Sequence, residues 1–200
     1  MGENLRIVAV FCASRTPQDE IYNRAVEDLA GFMVENGIRL VYGGVRAGMM
    51  GQLARSVLDR GGEVTGVFAR CLPERLRQDG LTETVFVDTL AERKSMMIRL
   101  ADAAIALPGG AGTVDELTEA ITLRYIEGSP GFQKPVGVYN VGGYFDSLLS
   151  FFDHARGAGF SRRCGHALFA VGYTARELFD RLFHRLPSEM RRKRPVREAK

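Results

Sequence analysis

Short apolar runs alternate along the chain with longer amphipathic stretches. The runs predict strands at Ile7–Ala13, Ile38–Tyr42, Val64–Phe68, Thr84–Val87, Ala103–Leu107 and Pro135–Tyr139. The stretches between them predict helices at Ile21–Glu35, near Met50–Arg60, at Ala91–Ala101, from Thr113 to about Glu127 and at Tyr144–Ala158, with Leu168–Val171 and Thr174–Leu186 completing the alternation. The strands show little polar alternation, which indicates burial on both faces. We therefore predict an α/β fold with a single doubly wound parallel sheet, Rossmann-like, and helices on both faces.

No repeat or linker divides this pattern, so residues 1–186 are predicted to form one domain. Between Arg185 and Lys200 there are seven Lys/Arg against two Asp/Glu, which leaves 20 basic and 22 acidic side chains elsewhere. The net charge of +3 therefore reflects a basic tail over residues 187–200. Such a run is more often a solvated, disordered terminus than a contact for nucleic acid or another polyanion, and we expect no nucleic-acid partner.

The composition, 46% hydrophobic and 26% charged, is typical of a soluble globular protein. The three cysteines, Cys12, Cys71 and Cys164, are widely spaced and match no zinc pattern, and the three histidines are scattered. These counts predict a cytoplasmic protein with no disulfide scaffold and no metal site. No apolar run approaches 18 residues, so no membrane span is expected.

In a doubly wound sheet, ligands bind beyond the carboxyl ends of the strands, so the loops that follow strands matter most. The first such loop, Cys12–Pro17, contains no glycine. The GxGxxG fingerprint of dinucleotide-binding domains is therefore absent, and no GxxxxGK[ST] occurs anywhere, which disfavours NAD, FAD and P-loop chemistry. Ser14 can donate a hydroxyl to a ligand, although a cap or turn role explains it equally simply.

The second loop, Gly43–Gly51, has four glycines in nine residues. Glycine permits positive φ and a close approach of the backbone. Gly44 and Gly48 are candidate nucleotide contacts. A tight strand-to-helix turn also explains such glycines, so the loop alone does not distinguish a ligand contact from a turn.

The third loop, Pro108–Thr113, which we call the glycine loop, carries the strongest signal. Gly109, Gly110 and Gly112 precede a predicted helix, whose N-terminal amides bind phosphate well, and the Thr113 hydroxyl adds a donor. A phosphate pocket without a P-loop lysine indicates a nucleotide that is bound but not cleaved at its phosphate.

Two further features lie near this loop, and each has a structural alternative. Thr113 and Glu116 have the spacing of a capping box, yet Glu116 could also place a carboxylate beside a bound sugar phosphate. Such a carboxylate can stabilise an oxocarbenium-like transition state or activate water. Arg93 and Lys94 suit a phosphate, a ribose or a leaving base, while taken alone they are typical of an exposed charge pair.

Together these residues carry a family resemblance. The segments ERKSMMIRLADAAIALPGGAGTVDELTEAIT and KPVGVYNVGGYFDSLLSFFDHA resemble the Lonely Guy (LOG) family, once labelled lysine decarboxylases, as do FCASRTP and YGGVRAGMMGQLA. The likeness runs from about Arg6 to Phe160. It implies a phosphoribohydrolase that cleaves the N-glycosidic bond of N6-substituted AMP, a cytokinin riboside 5′-monophosphate, to free base and ribose 5-phosphate.

The resemblance also implies roles for individual residues. Arg93 and Glu116 match the family's catalytic pair. Its nucleotide contacts match Lys94, Gly110, Gly112, Thr113 and Thr122, and Glu74 is a candidate for a further binding carboxylate. The family's usual assembly is a homodimer, and its reaction requires no cofactor.

The chain departs from the family pattern at three places. In the second loop Val45 replaces a glycine, and Arg46 and Met49 are also changed. Ala111 replaces a tyrosine, and Leu90-Ala91 replaces Met-His ahead of the Arg-Lys pair. These changes leave the phosphate and hydrolysis residues in place, so the bond cleaved is better determined than the preferred base. A phosphoribohydrolase for AMP or another nucleoside monophosphate is therefore an alternative.

Two alternative interpretations place the protein in other functional classes. A pyridoxal-dependent decarboxylase needs a Schiff-base lysine in a pocket, and only Lys94 and Lys134 lie outside the tail. A non-catalytic nucleotide or cofactor carrier of the same superfamily would need the glycine loops but neither Arg93 nor Glu116. The presence of both residues favours the enzyme.

Overall fold

A computed structural model describes residues 5–125 and 134–185. Seven strands form one parallel sheet in the order β4-β3-β2-β1-β5-β6-β7. The strands are β1 Ile7–Phe11, β2 Arg39–Tyr42, β3 Val64–Ala69, β4 Glu83–Val87, β5 Ala103–Ala106, β6 Val136–Tyr139 and β7 Ala170–Gly172. The helices are α1 Glu20–Glu35, α2 Gly48–Asp59, α3 Leu90–Leu100, α4 Ala111–Tyr125, α5 Asp146–Gly157, α6 Gly165–Leu168 and α7 Ala175–His184. The predicted α/β class and the parallel sheet are confirmed.

Each face of the sheet has its own apolar core. Val8 and Val10 of β1 pack into one core with residues of α1, α2 and α7. Ala9 and Phe11, which alternate with them, pack into a second core with residues of α3, α4 and α5. Because side chains alternate along a strand, burial on both faces requires the continuous apolar runs seen in the sequence.

Polar side chains fix where several helices begin. The Asp19 carboxylate accepts a hydrogen bond from the Ile21 N–H (2.9 Å) and caps α1. In α3, the Thr89 hydroxyl accepts from the Glu92 N–H (3.1 Å), while the Glu92 carboxylate accepts from the Thr89 N–H (3.3 Å), which completes a capping box. This cap sets the position of the residues that follow Glu92.

The structure differs from the predicted elements mainly at their ends. The first strand ends at Phe11 rather than Ala13, and α4 begins two residues before the predicted Thr113. The last strand begins at Ala170 rather than Leu168, because the short helix α6, which was not predicted, occupies the residues before it. The basic tail and the expected helix ends at Glu127 and Leu186 lie outside the described residues.

The order of the strands reverses at β1. The chain passes from β1 outward through β2, β3 and β4, and then returns to add β5 on the other side of β1. Phe11 lies beside Ala106 in this pairing, so the loops that follow β1 and β5 diverge from neighbouring points. The crevice between them is where ligands bind in such sheets. Within the described ranges, no helix has the length and apolar character needed to cross a membrane.

Candidate active site

A cavity of about 420 Å³ opens at this reversal point. Its walls come from the loops after β1, β2, β3 and β5 and from the first turns of α2, α3 and α4. The lining residues are Cys12, Ala13, Ser14, Arg15, Val45, Met50, Leu72, Leu76, Leu90, Arg93, Gly110, Ala111, Gly112, Thr113 and Glu116. Six of the predicted site residues line this cavity: Ser14, Arg93, Gly110, Gly112, Thr113 and Glu116.

Backbone contacts hold the surrounding loops together. Ala13 donates its N–H to the Pro108 carbonyl (3.2 Å), and its own carbonyl accepts from the Met50 N–H (3.2 Å). Gly48, at φ +58°, lies so close to the first loop that a Cβ would stand 2.4 Å from the Ser14 carbonyl carbon. The lack of a side chain at Gly48 therefore allows the two loops to pack together, which agrees with the structural interpretation of this glycine rather than with a nucleotide contact.

Arg93 is buried, with 8% of its surface exposed. Its Nε donates to the carbonyls of Gly43 (3.1 Å) and Val67 (3.2 Å), and its Nη2 donates to Gly43 (2.9 Å). Its Nη1 donates to Oε1 of Glu116 at 3.3 Å. The other two of the five guanidinium N–H groups have no acceptor among the described residues. Burial disfavours the charged form and lowers the pKa of Arg93, while the Glu116 carboxylate opposes that effect, and arginine stays protonated in proteins.

Glu116 is buried to the same degree as Arg93, with 8% of its surface exposed. Burial is the largest influence on its carboxyl and raises the pKa to about 7, although the positive charges of Arg93 and Lys94 lower it and the negative charges of Asp115 and Glu119 raise it. A carboxyl group that titrates near neutral pH inside a cleft is typical of acid–base or charge-stabilising chemistry.

The capping-box alternative for Glu116 is wrong. Helix α4 begins at Ala111, which puts Thr113 inside its first turn rather than at its N-cap. The Glu116 carboxylate accepts from Arg93 instead of from a backbone N–H. The exposed-pair alternative for Arg93 and Lys94 is also wrong for Arg93, because its guanidinium is buried.

The glycine loop presents backbone to the cavity. Val114 donates to the Gly110 carbonyl (3.1 Å), the first helical hydrogen bond of α4. The N–H groups of Ala111, Gly112 and Thr113 precede it, and such first-turn groups have no partner within a helix. They carry the partial positive charge of the helix N-terminus, which suits a phosphate.

The remaining predicted contacts do not line the cavity. Lys94 forms ion pairs with Asp115 (2.8 Å) and Glu119 (2.7 Å) on the outer side of α4. Glu74 is exposed and pairs with Arg77. The Thr122 hydroxyl donates to a carbonyl one turn earlier in α4 (2.7 Å).

Gly44 and Gly109 act through the backbone. Gly44 has a φ of +68°, and a Cβ there would lie 3.3 Å from Phe68. At Gly109 a Cβ would lie 2.0 Å from Oγ1 of Thr113. Both glycines shape the cavity without lining it.

Sequence reasoning missed the apolar wall of the cavity. Val45, Met50, Leu72, Leu76 and Leu90 face the same space as the polar residues. Val45 and Met50 lie in the loop Gly43–Gly51, and the position of that loop after a buried strand is the signal that could have indicated them. Leu72 and Leu76 come from the long loop after β3, whose composition carries no such signal.

Comparison with known proteins decides the family. The family described as "Possible lysine decarboxylase" matches residues 50–182. A protein of Oryza sativa subsp. japonica named "Probable cytokinin riboside 5'-monophosphate phosphoribohydrolase LOGL5" is 41% identical over 187 residues, which cover 93% of this chain and 75% of the relative. "Cytokinin riboside 5'-monophosphate phosphoribohydrolase LOG2" of Arabidopsis thaliana is 39% identical over 91% of this chain and 84% of its own length.

The chain belongs to the LOG family. The predicted family resemblance is thereby confirmed, and the match to the rice relative covers 93% of this chain.

Solved structures show that the LOG fold is shared more widely. The Moco carrier protein of Chlamydomonas reinhardtii aligns with a TM-score of 0.68 at 17% identity, covering 92% of this chain and 98% of its own. The molybdenum cofactor binding protein of Rippkaea orientalis aligns with a TM-score of 0.64 at 18% identity, covering 88% of this chain and 94% of its own. At this identity the likeness concerns the fold alone.

The decarboxylase label of the LOG family finds no support in the described lysines. The Nζ of Lys94 is engaged by two carboxylates outside the cavity. Lys134 donates to the carbonyls of Ile98 (2.9 Å) and Arg99 (2.8 Å), in the last turn of α3. Neither amine faces the space where a Schiff base would have to form.

The pKa of Glu116 predicts how the activity of the enzyme falls as the pH is lowered. If the reaction uses the carboxylate, protonation with a pKa of about 7 removes activity as the pH falls. We expect kcat/KM, which reports ionisation of the free enzyme, to drop about tenfold per pH unit below that value, whereas an ordinary glutamate would leave it level down to about pH 5. The measurement is base release at substrate concentrations well below KM from pH 5 to 9, with the melting temperature followed alongside. A level profile over a range where the protein stays folded would contradict the ionised role.

Proposed function

We propose that this LOG-family chain hydrolyses the N-glycosidic bond of cytokinin riboside 5′-monophosphates, releasing the base and ribose 5-phosphate. One observation carries the proposal. The Arg93–Glu116 pair is buried in the same cavity as the N-terminal turn of α4, so a carboxylate, a fixed guanidinium and a phosphate site share one space. The activities for which the relatives of Oryza sativa and Arabidopsis thaliana are named support the same reaction.

The 5′-phosphate is assigned to the glycine loop. Gly110 and Gly112 both line the cavity, and neither has a positive φ. Apart from the adjacent backbone, no atom of the described residues would lie within 4 Å of a Cβ on either. Neither backbone conformation nor packing explains why these positions lack a side chain. A ligand that closely approaches the backbone does explain it.

Glu116 is assigned to the anomeric carbon. Cleavage of the C–N bond develops positive charge on the ribose, which a nearby carboxylate stabilises, and a water oxygen then takes the place of the base. The same carboxylate can align that water. Only Oε1 of Glu116 accepts a hydrogen bond from the part of the protein that the structure describes, so Oε2 is available to the substrate or the water.

Arg93 supplies a fixed positive charge beside Glu116. Three hydrogen bonds to main-chain carbonyls prevent the guanidinium from following a moving ligand. Its role is to hold the carboxylate in place and to present its two remaining N–H groups to the substrate or to the departing base. Binding energy from the distant phosphate then orients the sugar between these groups.

The base is assigned to the apolar wall. Leu72, Leu76 and Met50 form a surface that suits a purine with an apolar N6 substituent. Val45 and Leu90, two of the departures from the family pattern, lie on this wall, and Ala111 lines the cavity as well. The residues specific to this chain therefore lie where they would change the preferred base without changing the bond that is cleaved.

The proposal is tested by measuring free-base release from isopentenyladenosine monophosphate, AMP and CMP by chromatography. We expect the isopentenyl nucleotide to be cleaved fastest. A preference for AMP or CMP would keep the reaction and assign a different substrate. Tight nucleotide binding with no release from any of the three would instead support the carrier alternative.

The assembly and location are proposed with the activity. The resemblance supports a homodimer, and α3 exposes Leu90 (49%) and Leu100 (36%) as apolar surface. Light scattering is expected to give twice the chain mass of 22.1 kDa, and a monomer at micromolar concentration would contradict it. A cytoplasmic location agrees with Cys12, Cys71 and Cys164, which are unpaired.

A further inference from the structure

A tight turn beyond β6 places one tyrosine against the glycine loop. The fully buried Asn140 organises this turn, because its side chain donates to Asp146 (2.7 Å) and accepts from the Phe145 N–H (2.7 Å). Gly142 and Gly143 both have positive φ, +61° and +73°, which residues with a Cβ rarely adopt. The backbone before and after Tyr144 is therefore fixed.

Aromatic contacts and a hydrogen bond also fix the side chain of Tyr144. It packs edge-on against Tyr22 of α1 (5.8 Å between centroids) and against Phe145 (5.2 Å). Its hydroxyl donates to the carbonyl of Gly109 at 2.8 Å. Tyr144 itself remains 43% exposed and does not line the cavity, so it contacts the glycine loop from outside.

This hydrogen bond sets the direction of a carbonyl that could otherwise extend the helix. In an α-helix each N–H bonds to the carbonyl four residues earlier, so the Gly109 carbonyl is the acceptor that a longer helix would offer to the Thr113 N–H. The first helical hydrogen bond is instead the next one, from Val114 to Gly110. A carbonyl can accept two hydrogen bonds, so Tyr144 acts by direction: the Gly109 carbonyl points toward its hydroxyl and accepts nothing from Thr113, whose N–H is left for another partner.

The same contact orients the following peptide group. A trans peptide places the carbonyl of one residue and the N–H of the next on opposite sides. Tyr144 draws the Gly109 carbonyl away from the cavity, so the Gly110 N–H is directed to the other side, where Gly110 lines the cavity. Two backbone donors thus depend on one hydroxyl.

We infer that Tyr144 is a positioning residue that holds the Gly110 and Thr113 N–H groups open for the 5′-phosphate. The inference rests on the proposed function only in taking the glycine loop as the phosphate site. Because the hydroxyl acts through the loop, its loss should weaken ligands that carry phosphate and leave the base side of the cavity unchanged.

The test compares Tyr144→Phe with the wild type by isothermal titration calorimetry, using ribose 5-phosphate and isopentenyladenine as separate probes. Phenylalanine keeps the ring packing and removes only the hydroxyl. We expect ribose 5-phosphate to bind about three- to tenfold more weakly, isopentenyladenine to bind within about twofold, and the melting temperature to be unchanged. In base release, KM for the nucleotide should rise more than kcat falls.

Two further variants calibrate the result. Tyr173→Phe removes the hydroxyl of another half-exposed tyrosine, which does not line the cavity, and should change neither affinity. Gly110→Ala adds a methyl group that meets no protein atom and should also weaken ribose 5-phosphate selectively, because the methyl occupies the space assigned to the phosphate.

The outcomes separate this inference from the proposed reaction. Unchanged ribose 5-phosphate binding in Tyr144→Phe, an equal loss for both probes, or no binding to the wild type would overturn the positioning role. Selective weakening in a protein that releases no base from any nucleotide would uphold that role and reject the hydrolase.

Discussion

Replacing Glu116 by glutamine is expected to slow base release by at least about a hundredfold, the usual contribution of a positioned acid–base group. Glutamine has nearly the same shape and keeps an amide oxygen that can accept from Nη1 of Arg93, now 3.3 Å from the carboxylate. What is lost is the negative charge beside the anomeric carbon. Nucleotide binding through the glycine loop should persist, so the loss should appear in kcat rather than in KM.

A matched variant separates catalysis from a general effect of charge removal. Glu35→Gln removes one carboxylate from the exposed end of α1 and should leave turnover unchanged. Both variants are assayed by chromatography of released base, after their melting temperatures show that they fold. Turnover of Glu116→Gln within a few fold of the wild type would remove Glu116 from the reaction and leave it a purely structural partner of Arg93.

The fold could be predicted because its information is local. Strands such as β5, Ala103–Ala106, are buried along their whole length, and burial on both faces imposes a continuous apolar run that the sequence displays directly. The glycine loop was equally visible, since its glycines fall where a predicted strand is followed by a predicted helix. Both signals depend on residues that are neighbours in the chain.

The beginning of α4 was mispredicted because the spacing of Thr113 and Glu116 does not fix where a helix starts. Thr113 and Glu116 have the spacing of a capping box, but three-residue spacing also occurs within any helical turn. The helix begins earlier, after Gly110, and the Gly109 carbonyl is engaged by Tyr144, 35 residues away in sequence. Thr89 and Glu92 of α3, with the same spacing, do form the box. Spacing alone does not distinguish the two cases.

The burial of Arg93 was also invisible in the sequence. An arginine followed by a lysine in the first turn of a helix normally faces solvent, whereas Lys94 is partly buried and pairs with two carboxylates of α4. Arg93 is buried because the Gly43 carbonyl, 50 residues away in sequence, and the Val67 carbonyl, 26 residues away, accept its donors. Only the assembled sheet brings those carbonyls beside α3.

Gly43 is the residue that makes room for this arginine, and its replacement by alanine is expected to lower base release by about a hundredfold. A Cβ at Gly43 would lie 1.4 Å from Nη2 of Arg93 and 2.5 Å from Cε of Met50. The φ of Gly43 is not in the positive range, so the backbone itself accepts alanine. The guanidinium, at the end of a flexible side chain, is what must move, and it then leaves both the Gly43 carbonyl and Glu116.

A double-mutant cycle with Arg93→Lys identifies the cause of that loss. Lysine lacks the planar fork that bonds two carbonyls and a carboxylate together, so Arg93→Lys should itself be strongly impaired. If Gly43→Ala acts only by displacing Arg93, the double variant should be no slower than Arg93→Lys, because the two changes remove the same interaction. Gly157→Ala, whose added methyl meets no atom within 4 Å, serves as the matched control and should turn over normally. Additive losses in the double variant, or normal turnover in Gly43→Ala, would show that the fixed position of the guanidinium is not what the reaction requires.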